Sequence, residues 1–142
     1  MNPSEYRGPI LISVAMLFLH YSFLINILRK KVKLHKKYKT EGKKFDRYLS
    51  GDREMLAADR IQLNLLEHMP LFLTLLWLVA VFDNVGNATS AGTIYLASRI
   101  LYPFLMKQRL GREIPLRILI STMIGYGVNI YFAVRLVILA IE

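Results

Sequence analysis

Four apolar stretches divide the chain. Ile10 to Leu28 runs 19 residues without a charge, and Ile61 to Phe82 runs 22 residues carrying Asn64, Glu67 and His68. Thr93 to Met106 is shorter, 14 residues with Arg99 inside, and Ile114 to Ile141 covers 28 residues with Arg117 and Arg135. A helix needs about 20 predominantly apolar residues to cross a bilayer core. The first, second and fourth stretches meet that length. The third reaches it by borrowing Ala88 to Gly92 and by snorkelling Lys107. A soluble four-helix bundle needs a polar face on each helix, and Ile10 to Leu28 has none. The pattern predicts an all-α integral membrane protein: a four-transmembrane-helix up-down bundle forming one domain over residues 1–142. Its spans are 10–28, 61–82, 93–106 and 114–141, and a basic loop occupies 29–59.

Charge fixes the orientation of that bundle. The chain has 142 residues, 54% hydrophobic, with a mean hydropathy of +0.36 and a net charge of +9. The segment from Arg29 to Asp59 holds 11 Lys and Arg, and the loop between the second and third spans holds none. Lys107, Arg109 and Arg112 lie between the third and fourth spans. The positive-inside rule puts both basic loops in the cytosol and both termini on the other side. The run Arg29-Lys30-Lys31-Val32-Lys33 then reads as a topogenic segment beside anionic lipid, with no nucleic-acid partner. The first span lacks the basic start and small-residue cleavage site of a signal peptide. The C-terminal Leu-Ala-Ile-Glu is not a retrieval signal, which leaves a bacterial inner membrane and the endoplasmic reticulum as equal expectations.

Cysteine is absent. That excludes a disulfide framework, a thiolate zinc site and a cysteine nucleophile, so any thiol chemistry needs a thiol from outside. The three histidines are too scattered for a metal site. His20 and Asn26 in the first span read as helix-packing residues, Asn26 by hydrogen-bonding between helices. Arg135 falls at the outer interface, about 31 Å along the helix from Ile114.

Ionisable groups inside a span mark function by default. Arg60, Asn64 and Glu67 follow an i, i+4, i+7 spacing, which places them on one helical stripe, with His68 at its edge. Glu67 lies about 10 Å deeper than Arg60, and Arg99 lies about 10 Å from the Met106 end of its antiparallel span. Tyr102 is one turn nearer the cytosol, Arg117 opens the fourth span and Arg29 ends the first. All fall in one layer. A ligand bearing carboxylates suits the arginines and an ammonium suits Glu67, so a zwitterionic peptide with extra negative charge fits the set. A Glu67–Arg99 pair locking two helices together is the other reading. Pro70, further along the second span, predicts a kink that widens this layer.

At these residues the sequence resembles a known family. Arg60-Ile-Gln-Leu-Asn64-Leu-Leu-Glu67-His68-Met-Pro70-Leu-Phe72-Leu73 resembles the second-helix signature of the MAPEG proteins, membrane-associated proteins in eicosanoid and glutathione metabolism. Tyr95-Leu96 with Arg99 and Tyr102, Pro115-Leu116-Arg117 and Gly125-Tyr126-Gly127-Val128 are similar to the family's third and fourth helices. The resemblance implies a homotrimer that binds glutathione, as co-substrate, between neighbouring subunits near the cytosolic face. It implies that Arg60, Asn64 and Glu67 hold the tripeptide, with His68 and Tyr102 at positions where members use Tyr or His, and Arg29 or Lys30 supplied by a neighbour. Arg117 takes the role of the catalytic arginine beside the thiolate, with Arg112 as the alternative because the preceding loop is longer than in relatives. Met106 stands where a tyrosine is usual. The implied activity is that of a membrane-bound glutathione transferase attacking hydrophobic electrophiles, with peroxidase activity on lipid hydroperoxides. A glutathione-dependent lipid synthase or isomerase, and a non-catalytic lipid-binding scaffold, are the alternatives within the family.

Overall fold

The computed structural model describes residues 3–49, 51–106 and 116–142. Four helices account for nearly all of them: α1 (Arg7–Thr40), α2 (Arg53–Phe82), α3 (Val85–Met106) and α4 (Ile118–Ile141). Helices are what the composition demands, because backbone N–H and C=O groups in lipid must be satisfied within the segment. α1, α2 and α4 are long and apolar enough to cross a membrane. α2 and α3 touch each other and both outer helices, whereas α1 and α4 do not meet among the described residues. The bundle is therefore a central α2–α3 pair flanked by α1 on one side and α4 on the other.

Its interior is aromatic. Phe72 of α2 stacks on Tyr95 of α3 with ring centroids 3.7 Å apart and planes 4° apart, and Phe132 of α4 lies 6.3 Å from Phe72. Ile12 and Met16 of α1, Leu76 of α2 and Val128 of α4 belong to the same core. The outside is apolar too: Leu11, Phe18, Ile130 and Val137 are all exposed. In water such a surface would be an aggregation hazard; in a bilayer it faces acyl chains.

Three helices differ from their predicted bounds, α2 by beginning at Arg53, eight residues before Ile61 and inside the segment read as a loop. α1 continues for 12 residues beyond Leu28, about 18 Å, through the segment read as a basic loop. Lysine is a good helix former, and Lys37 and Lys39 sit favourably at the negative end of the helix dipole. The extension also has its own core. Ile27 and Leu34, two turns apart, pack on Met55 and Ala58 of α2, with Tyr38 and Phe45 alongside. α3 begins at Val85, eight residues before the apolar stretch does, and gains the 22 residues a span needs.

Caps and ion pairs set the ends. Asp52 caps α2, its Oδ1 accepting from the backbone N–H of Glu54 and Met55 at 2.9 and 3.2 Å, while Oδ2 accepts from the Tyr38 hydroxyl at 3.0 Å. Burial pushes its carboxyl up, but the Met55 N–H, the Tyr38 hydroxyl and the Glu54 N–H together hold it below the usual aspartate range. A depressed carboxylate contributes stability that is present above its unfolded pKa, about 3.9, and is lost as pH falls through the folded value. Asp52→Ala is expected to cost about 1 kcal/mol at neutral pH. The gap to wild type should close below about pH 4, read by thermal unfolding at stepped pH. At the other end Arg135 donates to both Asp83 oxygens at 2.9 and 2.6 Å, tying α4 to the α2–α3 turn and holding the Asp83 carboxyl low.

Candidate functional site

The stripe on α2 splits by direction. Asn64 turns inward and is 6% exposed, whereas Arg60 and Glu67 keep about half their side chains accessible and face each other at 3.9 Å. The Tyr102 hydroxyl of α3 lies against the Arg60 guanidinium. One turn beyond Asn64 and a little round the helix, His68 meets Tyr126 of α4 edge-on, with centroids 5.3 Å apart.

Behind this rim lies a buried guanidinium. Arg99 is 2% exposed. Its Nη1 donates to Asn64 Oδ1 at 2.9 Å, its Nη2 to the Ser121 carbonyl at 2.9 Å and its Nε to Ser98 Oγ at 3.3 Å. The guanidinium also sits 4.9 Å from the centroid of the Tyr95 ring. Ser121 Oγ in turn donates to the Ser98 carbonyl at 2.5 Å. One cation thus joins α2, α3 and α4 through neutral acceptors and an aromatic face, as a charge in a membrane interior requires. Gly125 makes the room: a β-carbon there would overlap Arg99 Nη2.

This geometry replaces the Glu67–Arg99 lock that depth alone allowed. Arg99 takes Asn64 instead, and Glu67 takes Arg60. Because a guanidinium only donates, the amide orientation of Asn64 is fixed, with Oδ1 toward Arg99 and Nδ2 as its remaining donor side.

Arg117 stands at the start of α4, exposed, with Nε donating to the Leu105 carbonyl near the end of α3 at 2.7 Å. That bond anchors the guanidinium through Nε, and its Nη groups have no partner among the described residues. Arg112 lies outside the described residues. Arg29 is exposed on α1, beside Val32, Lys33 and Lys36, and is not gathered with the α2–α3–α4 set. Its neighbour Lys30 turns toward α2 and pairs with Glu54 at 3.5 Å. Asn26, expected to bridge helices, has no hydrogen-bond partner among the described residues. Ser98, Ser121 and Gly125 were not singled out as functional from the sequence. The signal was there in part: Ser121 and Gly125 are four residues apart, a small-residue notch facing the depth of Arg99.

The sequence matches the model of the MAPEG family over residues 9–138, nearly the whole chain. The chain belongs to the MAPEG family. Relatives of this MAPEG protein include leukotriene C4 synthase of Bos taurus, 38% identical over 53 residues, covering 37% of this chain and 35% of the relative. Leukotriene C4 synthase of Mus musculus is 40% identical over the same length and shares. The chain thus spans about a third of the length of these synthases. The uncharacterized protein sll1147 of Synechocystis sp. is 31% identical over 104 residues, covering 72% of this chain and 69% of the relative. Family membership and the three long apolar helices agree that this MAPEG protein resides in a membrane.

Proposed function

We propose that the protein is a membrane-bound glutathione transferase that works as a homotrimer, with its basic loops in the cytosol and both termini on the opposite side. The observation that carries this reading is the α2 rim. Arg60 and Glu67 stand exposed as opposite charges 3.9 Å apart, above an Asn64 amide whose orientation Arg99 fixes. Such a rim suits a zwitterion with additional carboxylates: Arg60 for a carboxylate, Glu67 for the ammonium, Asn64 Nδ2 for a carbonyl. Tyr102 and His68 flank it, and Arg29 of the partner subunit supplies a further cation. Arg99 supports the site from behind.

Arg117 would act on the sulfur. A free thiol has a pKa of about 8.5, and a cation beside it in a partly dry site favours the thiolate. The proton leaves to solvent. The thiolate then attacks an aryl halide carbon, a carbon–sulfur bond forms, the carbon–halogen bond breaks and halide departs. Apolar electrophiles reach the site from the bilayer. On a lipid hydroperoxide, two glutathiones would give the alcohol, water and the glutathione disulfide.

The test is calorimetric titration of the purified protein with glutathione, followed by a conjugation assay with chlorodinitrobenzene. No binding overturns the proposal. Glu67→Gln is expected to weaken glutathione binding by about tenfold or more, the scale of losing a hydrogen bond to a charged group. The leukotriene C4 synthase matches favour a second reading, a glutathione-dependent synthase acting on one lipid epoxide. Turnover of such an epoxide without turnover of chlorodinitrobenzene would select it.

A further inference from the structure

On the α1 side of the bundle, near its basic end, a cavity of about 540 Å³ opens between α1, α2 and α3. It opens on a different face of α2 from the rim: Ile61, part of its wall, points about 100° away from Arg60 around the helix. Phe23, Ala57, Ile61 and Phe104 make its apolar surface, and Asn26 and Lys30 are polar groups facing into it.

Asn26 and Lys30 are one turn apart, about 6 Å along the axis. Asn26 is half-buried in a span, yet its amide has no partner among the described residues. A polar group in that position is costly unless something satisfies it. Ser22, one turn deeper, needs nothing, since its hydroxyl donates to the Leu19 carbonyl at 2.7 Å. At the mouth, Lys30 and Lys33 approach the same Glu54 oxygen at 3.5 and 3.7 Å, so two cations share one carboxylate oxygen and the local charge favours an anion. Phe104 is 76% exposed and extends the apolar wall outward.

We propose that this cavity binds an anionic phospholipid. Its phosphate sits at Lys30, a glycerol ester carbonyl accepts from Asn26 Nδ2 one turn deeper, and an acyl chain lies along Phe23, Ile61 and Phe104. Going deeper along α1 the cavity meets Lys30, then Asn26, then Phe23, the order of phosphate, ester and chain in a lipid. Lys30, paired with Glu54 of its own chain, serves the cavity here, and Arg29 is the cation of the glutathione reading.

Native mass spectrometry of the full-length protein in detergent tests it, with phosphatidylglycerol and phosphatidylcholine of equal chain length. One phosphatidylglycerol per chain should be retained at least tenfold more tightly than phosphatidylcholine. Lys30→Gln should erase that preference, and Asn26→Leu should weaken phosphatidylglycerol at least tenfold. Phe104→Ala, at a position too exposed to threaten folding, should weaken both lipids several-fold. Equal retention of the two lipids overturns the proposal, as does wild-type retention in Asn26→Leu. Displacement by millimolar inorganic phosphate would mark a free-anion site and also overturns it. A protein that fails to bind glutathione yet passes these measurements sinks the transferase reading alone; Asn26→Leu that loses glutathione and keeps lipid would give the cavity to the glutathione site and overturn this one.

Discussion

Gly125→Ala is expected to destabilise the folded chain by about 1.5–3 kcal/mol, the scale of a hydrogen bond to a charged group. Gly127→Ala, two residues on, is expected to stabilise it by up to about 1 kcal/mol. The opposite signs follow from the surroundings. A β-carbon at Gly127 meets nothing within 4 Å, so the substitution only improves helix propensity. A β-carbon at Gly125 takes the space of Arg99 Nη2, which is committed to the Ser121 carbonyl. Arg99 cannot swing aside freely, because Nη1 and Nε are also bonded and its guanidinium packs beside the Tyr95 ring. The added methyl would leave a charge in the membrane interior short of an acceptor. Thermal unfolding of the two variants in one detergent checks the pair, and equal midpoints would mean that Arg99 has other places to go.

The second large effect concerns rate. Arg117→Ala is expected to lower the conjugation rate at saturating glutathione by about 10²–10³, the range for removing one donor that stabilises developing or resident anionic charge. Glutathione affinity should change little, since Arg60, Asn64 and Glu67 remain. The alkaline shift is the specific signature: without the cation, the thiol returns toward a pKa of about 8.5, so the rate recovers as pH is raised through that value. A merely structural role for Arg117, through its bond to the Leu105 carbonyl, would lower activity without moving the pH profile. Full activity in Arg117→Ala with loss in Arg112→Ala would transfer the role to Arg112.

Depth was legible in the sequence; direction around each helix was not. Counting residues from the charged ends put Glu67, Asn64 and Arg99 in one layer, and the structure gathers Arg60, Asn64, Arg99 and Tyr102 there. Which acceptor Arg99 takes depends on azimuth. Asn64 and Glu67 differ by about 60° around α2, enough to turn one inward and leave the other exposed. The helix ends were misplaced for a related reason. Hydropathy marks where lipid begins, but α1 continues as helix past it because Leu34 finds Met55 and Ala58 outside the apolar zone. α3 starts among Gly86, Asn87, Thr89 and Ser90, which are poor in hydropathy yet helical, since backbone groups there still need internal partners. The pairing of Lys30 with Glu54 joins residues 24 positions apart and had no local signature.

The Arg99 network is expected to set the order in which the helices are seated during synthesis. α3 is not among the three described helices long and apolar enough, by length and composition, to cross a membrane, and its charge finds acceptors on α2 and α4. During synthesis α2 is already in place when α3 emerges, but α4 is not. A nascent chain ending after Met106 should therefore leave its third helix incompletely inserted. Extension through Gly125 should drive that helix home, because only then does the Ser121 carbonyl arrive. On this expectation the fourth helix completes the seating of the third, and the contact of the buried guanidinium with Ser121 would be the last to close.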